Sequence, residues 1–286
     1  MMNQSGFPLM NELVSSMNID RAIEKVKKNK GAPGIDDMTV SEIKSHLNKY
    51  RRPFVQKLRE GTYRPQPTKR VEIPKGNGKK RKLSIPVVRD RVVQQMILQV
   101  ITPLIDPTFS ENSYGFRPGK SCQQAIAKAG QYYEEGYDVV VDCDLKSYFD
   151  TINHQKLMHR MQWYIEEKAV LQLIWNFLNA GVMEGEILRP TSKGASQGSP
   201  LSPLLANVYL DQLDKELERR NHRFIRYADD FIIFVQSERA AQRVQESITQ
   251  FLEKKLRLTV NQEKSQIIKA HQLEYLSYRM RKDKGK

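Results

Sequence analysis

The sequence predicts a mixed α+β fold, and two kinds of pattern support this. Apolar residues recur at helical spacing in several long segments. These segments are residues 41–60, 90–105, 120–135 and 238–256. Short runs rich in β-branched and aromatic residues, at 137–145 and 225–234, indicate strands. With 286 residues, the chain can form one large lobe or two smaller lobes with cores of their own.

Composition limits the class of partner and the compartment. Lys and Arg number 47 against 33 Asp and Glu, a formal net charge of +14 that suits a polyanion such as nucleic acid. Two cysteines, Cys122 and Cys143, are too few for a disulfide framework or a four-cysteine zinc site. The chain has no signal-peptide pattern and no apolar run of 18 residues, so we expect a soluble cytoplasmic protein with no membrane partner.

The elements of the first third alternate helix and strand. A basic helical region is broken at residues 31–36, Gly-Ala-Pro-Gly-Ile-Asp, and a second helix covers 41–60. Strands are predicted at 71–74 and 81–86, with a flexible basic hairpin loop between them. The helix at 90–105 is expected to bury one face, consisting of Val92, Met96, Val100 and Leu104.

A central strand is predicted at residues 137–145, between a helix at 120–135 and a mainly helical stretch at 155–180. Alternation along this strand puts Asp142 and Asp144 on one face. The other face carries Val139, Val141 and Cys143. Acids near the end of a buried strand are costly unless something positive pairs with them. For Asp142 the favoured interpretation is a solvated strand end or a salt bridge.

The last third begins with a turn of small residues at 194–203, Gly-Ala-Ser-Gln-Gly-Ser-Pro-Leu-Ser-Pro, that leads into a helix. Glycine permits close approach to a ligand and a helix start favours anions, although an ordinary capped helix explains the pattern nearly as well. The inner face of that helix is predicted to carry Leu204, Leu205, Val208, Leu213 and Leu217. The helix at 238–256 should bury Ala241, Val244, Ile248, Phe251 and Leu256, and a last strand is predicted at 273–280.

Asp229 and Asp230 interrupt the run at 225–234, which therefore reads as strand, turn, strand. Two carboxylates at a hairpin tip can present hard oxygen ligands to Mg²⁺. Burying both without a cation would be costly, because adjacent aspartates repel each other. The alternative is an ordinary Asp-rich turn.

Taken in order, these pieces resemble reverse transcriptases, most closely the proteins encoded by group II introns. The resemblance covers roughly residues 30–280. The motifs that carry it are the basic hairpin at 71–86, the strand ending in Asp144, Ser-Gln-Gly-Ser-Pro at 196–200, Tyr-Ala-Asp-Asp at 227–230 and the segment around Lys264. The stretches 114–119 and 201–207 are similar to the intron group rather than to retroviral enzymes. Ser277 stands where the family usually has glycine.

The resemblance implies a right-hand polymerase with fingers and palm, whose antiparallel palm sheet is backed by helices. Residues 1–90 would form the N-terminal extension and first part of the fingers, and 91–152 the first part of the palm. Residues 153–195 would return to the fingers and 196–286 to the palm. The chain is expected to lack the helical thumb of the family.

The resemblance also implies a catalytic centre made of Asp144, Asp229 and Asp230. These carboxylates would hold two Mg²⁺ ions, with Asp144 and Asp229 as bridging ligands and Asp230 in less direct contact. Tyr227 would pack near the end of the primer.

Five further residues would bind the incoming nucleotide by the same resemblance. Lys75 and Arg81 match residues that hold the triphosphate, where positive charge must offset the phosphates. Phe149 matches an aromatic gate that collides with a ribose 2′-hydroxyl and so selects deoxynucleotides. Gln197 would line the nucleotide pocket, and Lys264 matches a lysine near the triphosphate that serves as a candidate general acid.

The function implied is RNA-directed DNA synthesis from a DNA primer, an RNA template and dNTPs, together with binding of group II intron RNA and help in its splicing (a maturase role). Basic residues within 1–60 are candidates for intron RNA contact; they are Lys25, Lys27, Lys28, Lys30, Arg51 and Arg52. One alternative is an RNA-binding splicing cofactor with an idle polymerase site. Another is a different reverse-transcriptase lineage, such as a retron. A homodimer is a further open possibility, because missing thumb contacts would expose apolar surface.

Overall fold

The computed structural model describes residues 8–74 and 80–279. The chain divides into two compact units, each built from two segments. Unit 1 contains Met1–Pro107 and Phe149–Leu205, and unit 2 contains Thr108–Tyr148 and Ala206–Lys286. The fingers and palm boundaries that the resemblance implied, at 90, 152 and 195, stay a prediction.

Helices occupy much of the described chain. The α-helices are α1 (Leu9–Leu13), α2 (Ser16–Lys28), α3 (Ile43–Arg59), α4 (Val88–Ile105), α5 (Cys122–Glu134), α6 (Tyr148–Thr151), α7 (His154–Met161), α8 (Lys168–Leu178), α9 (Ser202–Arg219) and α10 (Glu238–Gln250). Within residues 8–74 and 80–279, none of the helices combines the length and the apolar character needed to cross a bilayer.

The sheet of unit 1 contains the predicted finger hairpin. Its strands are β1 (Thr68–Pro74), β2 (Lys80–Ile85), β4 (Val182–Glu184) and β5 (Ile187–Arg189), in the order β2-β1-β4-β5. β1 and β2 are antiparallel, from Lys69 opposite Ile85 to Pro74 opposite Lys80, so both predicted strands are confirmed. β4 runs parallel to β1 and pairs with β5 in a short hairpin that was not predicted. Lys75, in the loop at 75–79, lies outside the described residues.

Helix α4 is buried on almost every side, so the prediction of a single inner face was wrong. Val92, Met96 and Val100 are buried as expected, but Leu104 is only half-buried. The buried set extends round the helix and includes Val88, Asp90, Arg91, Val93, Gln94, Gln95, Ile97, Ile101 and Ile105. Both α1 and α2 pack against α4, and neighbours on several sides remove the solvent-facing side that an amphipathic pattern assumes.

The sheet of unit 2 consists of β3 (Val139–Cys143), β6 (Arg223–Tyr227), β7 (Asp230–Val235) and β8 (Gln266–Lys269). Its order is β6-β7-β3-β8 and every pairing is antiparallel, which confirms the antiparallel palm sheet. Helix α5 packs on β6, and α10 packs on β3 and β7. Consecutive residues of the central strands are apolar and buried, so both faces of these strands are covered.

The C-terminal strand predicted at 273–280 was wrong. The segment forms a two-stranded hairpin of β9 (Glu274–Tyr275) and β10 (Tyr278–Arg279), and the fourth strand of the main sheet is β8 instead. Leu276 and Ser277 have φ of 51° and 67°, which reverses the chain between the two short strands. Positive φ is strained for residues with a side chain, so sequence propensity did not indicate a turn here.

The helix predicted at 238–256 changes type near its end. Ala241, Val244 and Ile248 are buried as expected, but a π-helical segment, Phe251–Leu256, follows α10. Leu252 and Leu256 continue the four-residue spacing of the buried Val244 and Ile248. Leu252 is therefore buried where Phe251 was predicted, and Phe251 is only half-buried.

Candidate active site

The two adjacent acids lie at the tip of the β6–β7 hairpin in unit 2. Tyr227 is opposite Asp230, and Ala228 and Asp229 form the connecting turn. Ala228 has a φ of 59°, in the left-handed region. A two-residue hairpin loop needs such a residue, because its twist must match that of the strands. The structure thus contains the strand, turn and strand expected from the sequence.

Strand β3 brings Asp144 next to this hairpin. Cys143 pairs with Phe231 of β7, and continuing that register by one residue places Asp144 opposite Asp230. Alternation then puts Asp144, Asp230 and Asp142 on the same face of the sheet. Asp144 is therefore next to Asp230 at the end of the sheet, and Asp229 is in the turn beside Asp230, although Asp144 is far from both in sequence.

Asp144 is held by a loop that follows the π-helical segment. Asn261 Nδ2 donates to Asp144 Oδ2 at 2.8 Å, and Lys264 Nζ lies 3.6 Å from Asp144 Oδ1. The backbone N–H of Asp144 donates to Ser265 Oγ at 3.1 Å. Lys264 was a predicted site residue, whereas Asn261 and Ser265 were missed. Their only sequence signal is their closeness to Lys264.

Burial and the neighbouring carboxylates raise the pKa of Asp230 and of Asp142. Burial against protein atoms, followed by the charges of Asp229, Asp142 and Asp144, raises the pKa of Asp230 to about 6, although solvent still reaches part of the side chain. Lys264 opposes this effect. The pKa of Asp142 is also raised, first by its burial and then by Asp144. Asp142 is half-buried and accepts from the amide of Gln266 at 3.1 Å at the protein surface, which agrees with the solvated strand end favoured from the sequence.

These acids suit a divalent cation by their chemistry. Carboxylate oxygens are the hard donors that Mg²⁺ prefers, and a bound cation would remove the repulsion around Asp230 that Lys264 offsets only in part. In the described residues, however, no three Asp, Glu, His or Cys side chains are gathered tightly enough to hold one ion. The ligand set fits Mg²⁺ in donor type, and its side chains would have to close around the ion.

The start of the intron-like motif at 114–119 packs against the backbone of the acidic hairpin. Tyr114 N donates to Arg226 O at 2.8 Å, and Arg226 N donates to Asn112 O at 2.9 Å. A Cβ added to Gly115 would lie 2.3 Å from the backbone nitrogen of Ala228. Only glycine lets the two backbones approach this closely. The motif therefore stabilises the backbone of the acidic turn.

Two of the predicted nucleotide-binding residues are in contact within unit 1. Arg81 Nε donates to Gln197 Oε1 at 2.8 Å, and Ser84 N donates to the carbonyl of Gln197 at 2.8 Å. Gly198, with a φ of 114°, lies so close that a Cβ there would be 2.8 Å from the Ser84 carbonyl. Strand β2 therefore anchors the small-residue turn.

Phe149 is joined to the same turn through its backbone. Its carbonyl accepts from Ala195 N at 2.7 Å, and Gly194 N donates to Ile152 O at 2.7 Å. The buried His154, which was not predicted, is 2.7 Å from the carbonyl of Gly194 through Nε2. Helices α6 and α7 thus fix the segment that carries Gln197.

A cavity of about 410 Å³ in unit 1 lies away from the Arg81–Gln197 contact. Lys82, Ser84 and Asp150 contribute to its lining, but Arg81 and Gln197 do not. Neighbouring residues of a strand point to opposite faces. The cavity and the predicted nucleotide-binding residues therefore use different faces of β2.

A family model described as "Reverse transcriptase (RNA-dependent DNA polymerase)" matches residues 73–280. This span includes the acidic hairpin, Asp144 and the Arg81–Gln197 pair. The chain belongs to the reverse transcriptase family.

Among its relatives are group II intron-encoded proteins, which confirms the group to which the motifs pointed. The chain is 32% identical over 278 residues to protein YkfC of Escherichia coli K12, covering 83% of this chain and 73% of YkfC. It is 30% identical over 328 residues to the group II intron-encoded protein LtrA of Lactococcus lactis subsp. cremoris, covering 91% of this chain and 54% of LtrA. It is also similar to the putative COX1/OXI3 intron 2 protein of Saccharomyces cerevisiae, with 34% identity over 203 residues, 70% of this chain and 23% of that protein. The chain therefore spans about half the length of LtrA.

Solved structures agree on the fold. A partial Cas6-RT-Cas1–Cas2 complex matches with a TM-score of 0.53 and 26% identity, over 86% of this chain and 43% of the other. Telomerase from Candida albicans matches with a TM-score of 0.57 over 73% of this chain and 42% of that one. At 12% identity, the telomerase match shows the fold alone. Together they confirm the α+β fingers-palm fold.

Proposed function

We propose that this protein is the RNA-directed DNA polymerase of a group II intron, which adds dNTPs to the 3′-hydroxyl of a primer on an RNA template. The observation that carries the proposal is the placement of Asp144 beside the Asp229–Asp230 hairpin, in a chain of the reverse transcriptase family. Nucleotide addition needs negative charge neutralised at the attacking and leaving oxygens, and paired carboxylates supply the site for that.

Asp144 and Asp229 would hold two Mg²⁺ ions, with Asp230 in a less direct role. Bound there, the ions would activate the primer hydroxyl and stabilise the departing pyrophosphate. Lys264 adds positive charge next to Asp144 and is the proposed proton donor to the pyrophosphate. Asn261 orients the Asp144 carboxylate through its 2.8 Å hydrogen bond.

The nucleotide would be received by the residues of unit 1. The bond to Gln197 uses Nε of Arg81, and the terminal nitrogens of its guanidinium are the donors proposed for the triphosphate, together with Lys75. Gln197 would line the nucleotide pocket. Phe149, fixed through its backbone to the same turn, would exclude a 2′-hydroxyl by steric collision. Tyr227 would pack against the primer end.

We also propose that the chain binds group II intron RNA and assists splicing. The net charge of +14 supports a polyanionic partner. In the N-terminal helices, Arg51 is bound to Asp20 at 2.8 Å, which leaves less of its charge for RNA than the sequence suggested. Lys25 and Lys28, in the last turn of α2, become the stronger candidates. A homodimer and a cytoplasmic location stay predictions.

The test is primer extension on an RNA template with dNTPs and Mg²⁺, run beside Asp229→Ala. We expect the wild-type chain to incorporate dNTPs and Asp229→Ala to fall to background. Asp138→Ala, an acid at the opposite end of β3, is the matched control and should keep activity.

Binding of intron RNA by the same proteins separates the two candidate functions. If wild type and Asp229→Ala are equally inactive but bind intron RNA equally, the protein is a splicing cofactor with an idle polymerase site. If Asp138→Ala loses incorporation as fully as Asp229→Ala, the assignment of the site is wrong.

A further inference from the structure

The guanidinium of Arg226 is fully buried in unit 2, two residues before the hairpin turn. Its Nε and Nη2 donate to the two carboxylate oxygens of Asp214 at 2.8 and 2.6 Å. Nη2 also donates to Ser113 Oγ at 2.8 Å. Nη1 donates to Asn207 Oδ1 and to the carbonyl of Ala228, both at 2.8 Å. The five N–H groups of the guanidinium therefore all have acceptors.

The bond to Ala228 is the one that reaches the active site. Ala228 holds a φ of 59°, which is unfavourable for a residue with a Cβ and needs outside support. Its carbonyl belongs to the rigid peptide plane that continues into the N–H of Asp229. A donor fixed on this carbonyl sets the rotation of that plane. The rotation in turn decides the direction in which the Asp229 side chain leaves the backbone.

Asn207 connects the Arg226 guanidinium to the backbone of Gly115. Its Nδ2 donates to the carbonyl of Gly115 at 2.9 Å, while its Oδ1 accepts from Arg226. Gly115 is the residue whose backbone lies against Ala228 N. The buried Asn207 side chain thus links the two groups that contact Ala228, which are the Arg226 guanidinium and the Gly115 backbone.

Stability alone gives little reason for such a buried ion pair. Removing Arg226 and Asp214 from water is costly, and apolar residues of similar volume often replace buried pairs without loss of stability. A fully paired polar network favours a single geometry, because each donor has its own acceptor and any other arrangement would leave buried groups unpaired. The network ends at the residue before the proposed metal ligand.

We propose that Arg226 is a positioning residue which, together with Asp214 and Asn207, holds the Ala228 carbonyl and so aims Asp229 at the divalent cation. This inference rests on the polymerase function proposed above. None of the three residues was a site residue on sequence evidence. They act through the backbone of the turn, without touching the nucleotide.

Two variants and one control test the proposal. Arg226→Lys keeps a positive charge next to Asp214. It loses the planar guanidinium, which donates to Asp214 and to the Ala228 carbonyl at the same time. Asn207→Ala removes the link to Gly115 and one acceptor of the guanidinium. Tyr209→Phe lies on the same helix, α9, and removes a buried hydrogen bond of similar kind, from its hydroxyl to the Leu256 carbonyl at 2.6 Å.

The readout is a Mn²⁺ titration followed by paramagnetic broadening of the Ala228 and Asp229 amide NMR signals, which needs no polymerase activity. We expect Arg226→Lys and Asn207→Ala to shift both amide signals and to weaken Mn²⁺ binding by about 10-fold or more, as when a group that orients a metal ligand is lost. Tyr209→Phe should change binding by less than about 2-fold. Its melting temperature should also fall, because Tyr209→Phe loses one buried hydrogen bond where Asn207→Ala loses two.

Wild-type Mn²⁺ affinity in both variants would overturn the proposal, and so would equal weakening in Tyr209→Phe. If Arg226→Lys fails to fold, Asn207→Ala decides the question alone. Primer extension by the wild type is measured separately. A wild type that binds Mn²⁺ at the turn but incorporates no dNTP would contradict the polymerase function. The Mn²⁺ affinities of the variants would still test whether Arg226 positions Asp229.

Discussion

Ser277 stands in the left-handed region of the backbone, in the turn between β9 and β10 where the family usually has glycine. Its φ of 67° follows a φ of 51° at Leu276. A residue with a Cβ costs roughly 1–2 kcal/mol in this region, and glycine avoids most of that cost. We predict that Ser277→Gly raises the free energy of unfolding by about 1 kcal/mol, measured by urea titration. Ser277→Ala, which keeps the Cβ, should bring no gain; an equal gain from alanine would contradict the explanation.

Asp90 is a buried carboxyl whose ionisation should make stability depend on pH. Tyr63 Oη donates to its Oδ1 at 2.5 Å and Gln66 N to its Oδ2 at 2.7 Å. Burial nevertheless raises the pKa of Asp90 from 3.8 to about 6. Between these two values the folded protein keeps a proton that the unfolded chain releases. Stability from this group is therefore greatest at low pH and is lost as the pH rises to about 6.

Comparison with Asp90→Asn isolates this contribution, because asparagine does not titrate. We predict that the stability of the wild type relative to Asp90→Asn falls by about 2 kcal/mol between pH 4.5 and 7.5. Urea titrations of both proteins at the two pH values measure it. A constant difference would show that folding leaves the pKa of Asp90 unchanged, and a difference that grows with pH would show that folding lowers it; either result contradicts the prediction.

Among the elements, the acidic hairpin depends most on its contact with the segment behind it. A Cβ on Gly115 would lie 2.3 Å from Ala228 N, a distance that requires the backbone to shift. We predict that Gly115→Ala displaces the turn and lowers the free energy of unfolding by about 2 kcal/mol or more. Thermal unfolding measures the stability and primer extension the loss of incorporation.

Gly130 provides the matched control for that substitution. It lies inside helix α5, and a Cβ there would meet nothing within 4 Å. Gly130→Ala should leave incorporation unchanged and raise the free energy of unfolding by roughly 0.5–1 kcal/mol, because alanine favours the helix. A loss of incorporation in both variants would mean that the effect is not specific to the hairpin.

Element prediction failed where neighbours replaced solvent or where the backbone departed from regular geometry. Helix α4 reads as amphipathic, but it is buried nearly all round because other helices pack on it. Phe251 is only half-buried at the start of the π-helical segment, and Leu252 is buried instead. Neither event leaves a mark on local hydrophobic spacing, which reports the expected face of an isolated helix.

At the scale of the whole molecule, the net charge of +14 sets the expected response to salt. Binding of RNA by basic side chains releases counterions, so affinity falls steeply as salt rises. We predict that the Kd for intron RNA rises by at least about 100-fold between 50 and 200 mM salt, measured by filter binding. A flat salt series would remove the electrostatic basis for the maturase role.

Charge variants locate the surface responsible. Lys25→Gln with Lys28→Gln, in the last turn of α2, should reduce the salt slope by about two. Lys215→Gln is the control, because Lys215 lies 3.4 Å from Glu218 on α9 and is already paired. A reduction of the slope by about one in this single-charge control would mean that net charge matters and position does not.

The sequence by itself determined the class of fold, most helices and strands and the family, and it predicted the three acids. These properties depend on local spacing and on contiguous motifs, which the chain carries whatever its packing. The tertiary structure decided which residues meet. It joined Arg81 to Gln197 across 116 positions, Asn261 to Asp144 across 117 and Arg226 to Asp214 in a buried pair. Such contacts follow from sheet order and helix packing, which local propensity does not encode, and only the folded chain could reveal the residues that hold the site in place.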